Sequence, residues 1–354
     1  MTSIPEAALR TLIEQKRSLA RRTLEGVDLG GVDLSGVDLT SVVLRRVKLS
    51  GANLSGAILA GARFEEVELS GASLAGAELT DAYLRDLDFS DVDLREANLS
   101  SADLGGARLA KAKLDGALLI GVDLTLSHLA GCDFSKAKVS TARLTGADLR
   151  GARFFLAILT DVDLTGTPIA GASFRQTTLS EARCERVDFR GCDLVDVDLS
   201  FAKLAGANFE SCVATRASFA GADLTAAILS RVVAPNADLK AATLDNAELA
   251  GANFRDSAFE GVVARRASFR GANLREARFV RADLAGSSFA SADLTRADLS
   301  HARLKAAVLT DANLEQANLH RAELEGAQTS GANTRGTKKT DPARAKAEDF
   351  EVDA

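Results

Sequence analysis

Residues 25–39 read EGVDLGGVDLSGVDL. An Asp-Leu pair returns every five residues, as Asp28-Leu29, Asp33-Leu34 and Asp38-Leu39, with glycines between. The spacing decides whether these aspartates converge on a cation or stand apart on a scaffold. A period of five fits neither the 3.6 of a helix nor the 2.0 of a strand. It fits a coil that turns a corner every five residues and sends one large and one small side chain inward from each side. Five residues apart then means one corner apart. Asp28, Asp33 and Asp38 leave from three different sides and form a negative collar, the part of this stretch to test for a partner, and not a metal site.

The frame runs through most of the 354 residues. Taking every fifth residue from Leu24 to Leu324 as a centre gives 61 positions, of which 55 are Leu or Phe. The exceptions, Val139, Ile169, Cys184, Ala214, Ala234 and Ala264, are all apolar. After Arg22, which precedes the first centre, the residue two before each centre is always small apart from Leu87, the largest of them. Of 28 glycines, 26 fall two after a centre in this frame, and only Gly30 and Gly105 do not. Glycine suits a corner that needs positive φ or close backbone approach. No insertion breaks the register over about 300 residues. A chain with no Trp, one Tyr and one Met, yet 46% hydrophobic, fits a repeat architecture.

Stretches such as Ala52-Asn53-Leu54-Ser55-Gly56, Ala147-Asp148-Leu149-Arg150-Gly151 and Ala292-Asp293-Leu294-Thr295-Arg296 resemble the pentapeptide-repeat family, whose repeat is written A-[D/N]-L-x-x. The resemblance covers residues 23–328. It implies an all-β fold, a right-handed quadrilateral parallel β-helix with four repeats and twenty residues per coil. About fifteen coils follow from 61 repeats, and a rod of roughly 70 Å from the ~4.8 Å spacing of strands. The coil length has an independent sign in the sequence. Phe134, Phe154 and Phe174 are twenty apart, as are Phe189 and Phe209, Phe259 and Phe279, and Phe269 and Phe289. Rings so spaced stack on adjacent rungs. Ala214 between Phe209 and Phe219, and Ala264 between Phe259 and Phe269, make room for their neighbours, as a close-packed interior requires. Such a core is a narrow column with no space for a substrate.

Three segments follow. Residues 1–22 read as an N-terminal capping helix, with Ser3 as N-cap, Glu6 three later, Pro5 in the first turn, and a stripe of Ala8, Leu9, Leu12, Ile13 and Leu19. Residues 23–328 form the β-helix. Residues 329–354 read as a disordered polar tail, because Thr329 and Thr334 take central positions and little apolar content follows. No C-terminal cap is evident. The coil bearing Leu319 and Leu324 is therefore expected to expose an apolar face for dimerisation, a homodimer through the C-terminal coil, or for partner docking.

Reactive chemistry is hard to place. His128, His301 and His320 sit outward, far apart and solvated, and make no metal triad or catalytic relay. Cys132, Cys192 and Cys212 fill small inward positions and Cys184 a centre, so they read as inert buried thiols. No nucleophile elbow, P-loop or zincin motif occurs. The chain is read as a non-enzyme with no cofactor and no metal. No apolar run reaches the ~18 residues of a membrane span, and the first residues are charged rather than signal-like. These features point to a cytoplasmic bacterial protein with no membrane partner, secretion by a signal-less route staying open.

Function is expected on the outer surface. Residues 23–124 carry 17 acidic and 9 basic residues, whereas residues 125–327 carry 25 and 24. The net charge of −6 gives no basic stripe, so direct nucleic-acid binding is not expected. The acidic collar of Asp28, Asp33 and Asp38, the outward Phe155 and Phe201, the basic cluster with Arg265, Arg266 and Arg270, and the terminal Leu319 and Leu324 are the candidate interface. The long array behind a short helix is similar in style to family members associated with bacterial type VI secretion. That likeness implies a rod-shaped protein–protein interaction scaffold, as an accessory, effector-loading or tip-associated component. Two alternatives are a DNA-mimicking topoisomerase (gyrase)-binding protein like the quinolone-resistance members, favoured by the acidic N-terminal coils, and a secreted effector's targeting module.

Overall fold

A computed structural model describes residues 6–351. The chain divides into two compact units, Met1–Ala182 and Arg183–Ala354. Each is built by the same rule: residues twenty apart pair in parallel, so each five-residue side lies against the side four pentads on.

In the first unit, strands β1 (Thr23–Glu25), β2 (Val43–Arg45) and β3 (Arg63–Glu65) form a parallel sheet in the order β1-β2-β3, with Leu24 beside Leu44 and Leu44 beside Phe64. Elsewhere the sides pair through single bridges such as Asn53↔Ser73 and Ile58↔Glu78. The backbone accounting explains why a side five residues long suffices. Asn53 N–H donates to the rung before it, at Val32 O (3.0 Å), while Leu54 and Gly56 donate to the rung after, at Ser73 O (2.7 Å) and Ala75 O (2.9 Å). Ala57 N–H closes the corner on Leu54 O at 3.0 Å. Buried main-chain polar groups are thus satisfied without long strands.

Every corner residue two after a centre, glycine or not, lies near φ +60°. Where an aspartate or asparagine precedes a centre, it has a local task. Its side chain accepts the N–H two residues on, as in Gly30 N to Asp28 Oδ1 (2.9 Å), Ser55 N to Asn53 Oδ1 (3.1 Å) and Thr125 N to Asp123 Oδ1 (2.9 Å). These Asx turns pin the corner, and they explain the A-[D/N]-L consensus as well as the core does.

Helix α1 spans Glu6–Glu14 and buries Leu9 and Ile13. It is shorter than the helix expected over 3–22, and Ser3 and Pro5, the expected cap, lie outside the described residues. Lys16 and Arg21 adopt positive φ. Leu19 N donates to Asp38 O (2.7 Å) and Arg21 N to Thr40 O (2.8 Å), so the five-residue register already starts at the buried Leu19.

In the second unit the ladder runs unbroken from Arg183↔Lys203 to Asn318↔Lys338. The segment expected to be disordered therefore keeps the frame. Asn333 N donates to Ala312 O and Lys338 N to Ala317 O, both at 2.9 Å, and Asn333 Nδ2 bonds Asn313 Oδ1 at 2.9 Å. Backbone pairing, the Gly331 and Gly336 corners and an asparagine ladder continue a coil whose apolar centres have been lost. Helix α2 then spans Pro342–Glu351, where no helix was expected. Its start is well formed: Asp341 Oδ1 accepts Ala343 N at 2.9 Å and Pro342 takes the first helical position.

The cores are columns of centres and small partners, buried almost completely. The rings stack as the spacing requires: Phe134 on Phe154 (4.9 Å) and Phe154 on Phe174 (5.0 Å) in the first unit; Phe189 on Phe209 (4.6 Å), Phe259 on Phe279 (4.5 Å) and Phe269 on Phe289 (4.8 Å) in the second. Phe209 meets Phe219 edge-on across Ala214, and Phe259 meets Phe269 edge-on across Ala264. Among the described residues no helix is long and apolar enough to cross a membrane.

Candidate docking surface

With the centres filled by apolar side chains, only the outward residues are free to act. The N-terminal segment engages the carboxylates of two collar aspartates, Asp33 and Asp38, and the backbone carbonyl of the third, Asp28. Arg10 donates to Asp28 O (3.1 Å), Lys16 Nζ pairs with the Asp33 carboxylate (2.8 Å) and Ser18 Oγ donates to Asp38 Oδ2 (2.7 Å). Lys16 and Ser35 hold the Asp33 carboxyl well below the usual carboxylate range, and Ser18 and Thr40 lower that of Asp38. The three residues act separately, each on its own side.

The outward aromatics have neighbours too. Phe201, two-thirds exposed, lies over the Gly221 corner, with ring carbons 2.6 Å from where a Cβ on Gly221 would stand. Leu126 covers Gly146 in the same way at 2.8 Å. Phe155 edges a groove of about 670 Å³ shared with Arg95, Lys111, Lys113, Lys136 and Arg153. Most of those cations already face carboxylates, through Arg95–Asp93 (2.6 Å), Arg153–Asp133 (2.8 Å) and Lys136–Asp115 (3.9 Å). In the basic cluster Arg265 pairs with Asp283 (2.8 Å), Arg266 with Asn246 (3.0 Å) and Arg278 with Glu260 (2.5 Å). Arg270 is exposed. At the far end Leu319 is half-buried and Leu324 is 37% exposed.

A different feature stands out in the first unit. From Asp28↔Lys48 to Ile158↔Thr178 the succession of bridges and strand pairs has two gaps. At 148/168 the partner is Pro168, which has no N–H, and the adjacent bonds Leu149 N to Pro168 O (2.9 Å) and Gly151 N to Ala170 O (3.0 Å) survive. At 68/88 no bond survives between residues 66–71 and 85–90. A cleft of about 490 Å³ opens there, lined by Glu66, Glu68, Asp86, Asp88, Asp91 and a single cation, Arg108. Leu87, the largest of the small-position residues, sits in that gap beside Val67. Both are 6% exposed, more than most inward neighbours.

The histidines depart from expectation. His301 and His320 are not far apart: their rings lie 5.6 Å from each other, because nineteen residues is one circuit less one position. His320 is buried at 2% rather than solvated, under α2. Glu348 of α2 receives His301 Nε2 (3.4 Å), His320 Nε2 (3.3 Å) and Arg321 Nε (3.4 Å). Two histidines and a carboxylate resemble a metal-ligand set. The hydrogen bonds oppose it. Asp341 N–H donates to His320 Nδ1 at 3.1 Å, so the proton of the neutral ring is on Nε2, and no lone pair faces a cation there. Arg321 already neutralises the carboxylate. The cluster is a latch for α2.

All four cysteines are buried and outside any disulfide. Burial pushes the Cys132 thiol up to about 12 and that of Cys212 to about 11. Each donates to a core carbonyl, Leu109 O (2.7 Å) and Phe189 O (3.0 Å).

The family model for pentapeptide repeats (8 copies) matches nine segments between residues 23 and 333. The chain belongs to the pentapeptide-repeat family. None of the curated proteins matches it. Three solved structures are similar to this family member. HetL, a pentapeptide-repeat protein involved in heterocyst differentiation regulation from the cyanobacterium Nostoc sp. strain PCC 7120, is 28% identical over 72% of this chain and 89% of its own, with a TM-score of 0.18. A pentapeptide-repeat protein of the Arabidopsis thaliana thylakoid lumen is 31% identical over 33% of this chain and 67% of its own, with a TM-score of 0.21. QnrB1, a plasmid-mediated fluoroquinolone resistance protein, is 20% identical over 69% of this chain and 96% of its own, with a TM-score of 0.22. With scores this low the superpositions carry no argument, and membership rests on the repeats themselves.

Proposed function

We propose that this chain is a non-catalytic protein-interaction scaffold that works through its outer surface. The observation supporting this reading is the interior. The centres and their small partners are apolar, and the few inward hydroxyls are consumed by the backbone: Ser127 Oγ donates to Leu124 O (2.6 Å), Thr177 Oγ1 to Phe154 O (2.6 Å) and Ser257 Oγ to Ala234 O (3.1 Å). Among the described residues the only nucleophilic side chains in such a core besides these hydroxyls are thiols buried within it, at Cys132, Cys184, Cys192 and Cys212, and the packed column leaves a substrate no space beside them. The finer form of this reading is an accessory role in a bacterial secretion system. Affinity purification from the source cell, with cross-linking from surface positions of the first unit, tests it. Recovery of a defined partner supports the scaffold, recovery of secretion components supports the finer role, and a chain that cross-links to nothing counts against both.

The acidic excess of residues 23–124 favours a second reading, occupation of a basic DNA-binding groove by an acidic surface. A gyrase supercoiling assay separates the two. Inhibition or drug protection supports the mimic, and unchanged supercoiling removes it.

A further inference from the structure

We propose that the opening between residues 66–71 and 85–91 is a docking slot for an extended, arginine-bearing segment of a protein partner, a proposal that rests on the scaffold reading above. The inference begins with Leu87. Inward positions two before a centre elsewhere hold Ala, Val, Cys, Ser or Thr. A leucine stacked on Val67 brings more side chain than one rung spacing accepts, and overpacking of this kind is relieved by backbone shifts. The rungs part on this side alone. Lys48↔Glu68 below and Asp88↔Arg108 above are intact.

Separation leaves both edges unsatisfied. Glu66, Leu69 and Gly71 N–H on one side, and Asp88 N–H with the carbonyls of Arg85, Asp88 and Ser90 on the other, make no backbone hydrogen bond. Donors and acceptors together are what the main chain of an extended peptide complements. The charge around them is predominantly negative, five carboxylates against the one guanidinium of Arg108. Asp88 is bonded to Arg108 (3.1 Å) and to Ser90 N (2.9 Å). Glu66, Glu68, Asp86 and Asp91 have neither an ion pair nor a side-chain hydrogen bond among the described residues. A guanidinium offers five donors and no acceptor, matching carboxylates and bare carbonyls at once. A lysine would supply charge without the planar fork, and a metal ion is disfavoured, because no three of these carboxylates converge on one point.

The test uses the full chain and two peptides, acetyl-Gly-Arg-Gly-Arg-Gly-amide and its counterpart with citrulline for arginine, followed by amide chemical shifts at physiological ionic strength. The arginine peptide is expected to shift the amides of residues 66–71 and 85–91 and the citrulline peptide to leave them unmoved. Leu87→Val keeps every charge but shortens the wedge. It is expected to restore exchange protection at the Leu69 and Asp88 amides and to weaken the peptide at least about fivefold, a difference near 1 kcal/mol. Glu68→Gln with Asp86→Asn keeps the opening and removes charge, with a similar loss expected. Shifts spread over other acidic faces, or equal affinity for Leu87→Val once its amides are protected, overturn the slot. If Leu87→Val leaves those amides unprotected, the proposed wedge is wrong. The same variants separate this proposal from the broader one. A cellular partner captured equally by wild type and both variants refutes the slot while the scaffold stands. Peptide binding confined to the slot without any cellular partner refutes the scaffold instead.

Discussion

The corner residue is where the five-residue repeat is most strained. L-residues at positive φ cost about 1–2 kcal/mol each, yet Leu126, Thr141, Leu156 and Phe201 all occupy such corners. Ladder bonds over-determine them. Where glycine stands, a neighbour can use the space, as the Phe201 ring does over Gly221. Gly221→Ala adds strain and a collision, so a loss of about 1–2 kcal/mol is expected in urea unfolding. Combining it with Phe201→Ala should return part of that loss in a double-mutant cycle; strict additivity would show that the ring and the corner are independent. The buried thiols give a second expectation. With Cys132 raised to about 12 and Cys212 to about 11, neither is thiolate near neutrality. Ellman's reagent should find both unreactive in the folded protein and reactive in urea. Rapid labelling of either without denaturant would contradict their inward placement.

Elements divide into those the sequence displays and those it conceals. Register and the twenty-residue circuit were legible because side-chain size and glycine spacing record them directly: Phe134, Phe154 and Phe174 announce their own stack. The aspartates before each centre were legible only as outward, since their Asx turns depend on corner geometry. Leu87 was visible as the largest inward exception, but its consequence was not, because losing a rung of hydrogen bonds depends on the spacing between rungs. Helix α2 was concealed by composition. Its Asp341-Pro342 start is a sound N-terminal signal, set in a tail with little apolar content. His301 and His320 stand nineteen residues apart, so their meeting follows only from a circuit one position longer than that spacing. The latch they form is testable. His320→Ala removes the acceptor for Asp341 N–H and one donor to Glu348. Amide exchange of residues 342–351 should accelerate while the ladder to Lys338 stays protected. Zinc should not raise the thermal midpoint of the wild type, because His320 presents Nε2–H to the cluster. A zinc-dependent rise that vanishes in His320→Ala would reinstate a metal site.

Across the whole molecule the corner-capping carboxylates make one collective prediction. Asp33, Asp38, Asp88, Asp93, Asp148 and Asp188 are all lowered from the ordinary value of 3.8. The leading causes are Lys16, Ser18, Ser90, Arg95, Arg150 and Arg190 respectively. A carboxyl whose folded value lies below its unfolded one binds fewer protons when folded. Its contribution is complete above the unfolded value and is lost as pH falls through the folded one. These groups are exposed enough for solvent to keep each contribution small, but the motif recurs in both units. The urea midpoint should therefore be nearly flat from about pH 7 to 5 and fall steeply below about pH 4. Asparagine already does this work without a charge at Asn53, Asn98, Asn208 and Asn253, each accepting the N–H two residues on. Replacing Asp38, Asp93, Asp148 and Asp188 together by asparagine keeps the Asx acceptors and removes the titration. It should shallow the acid decline at some loss of neutral-pH stability, because Arg95, Arg150 and Arg190 lose their paired carboxylates. A midpoint that holds to pH 2 in the wild type, or a decline as steep in the asparagine variant, would show that acid sensitivity lies elsewhere in the molecule.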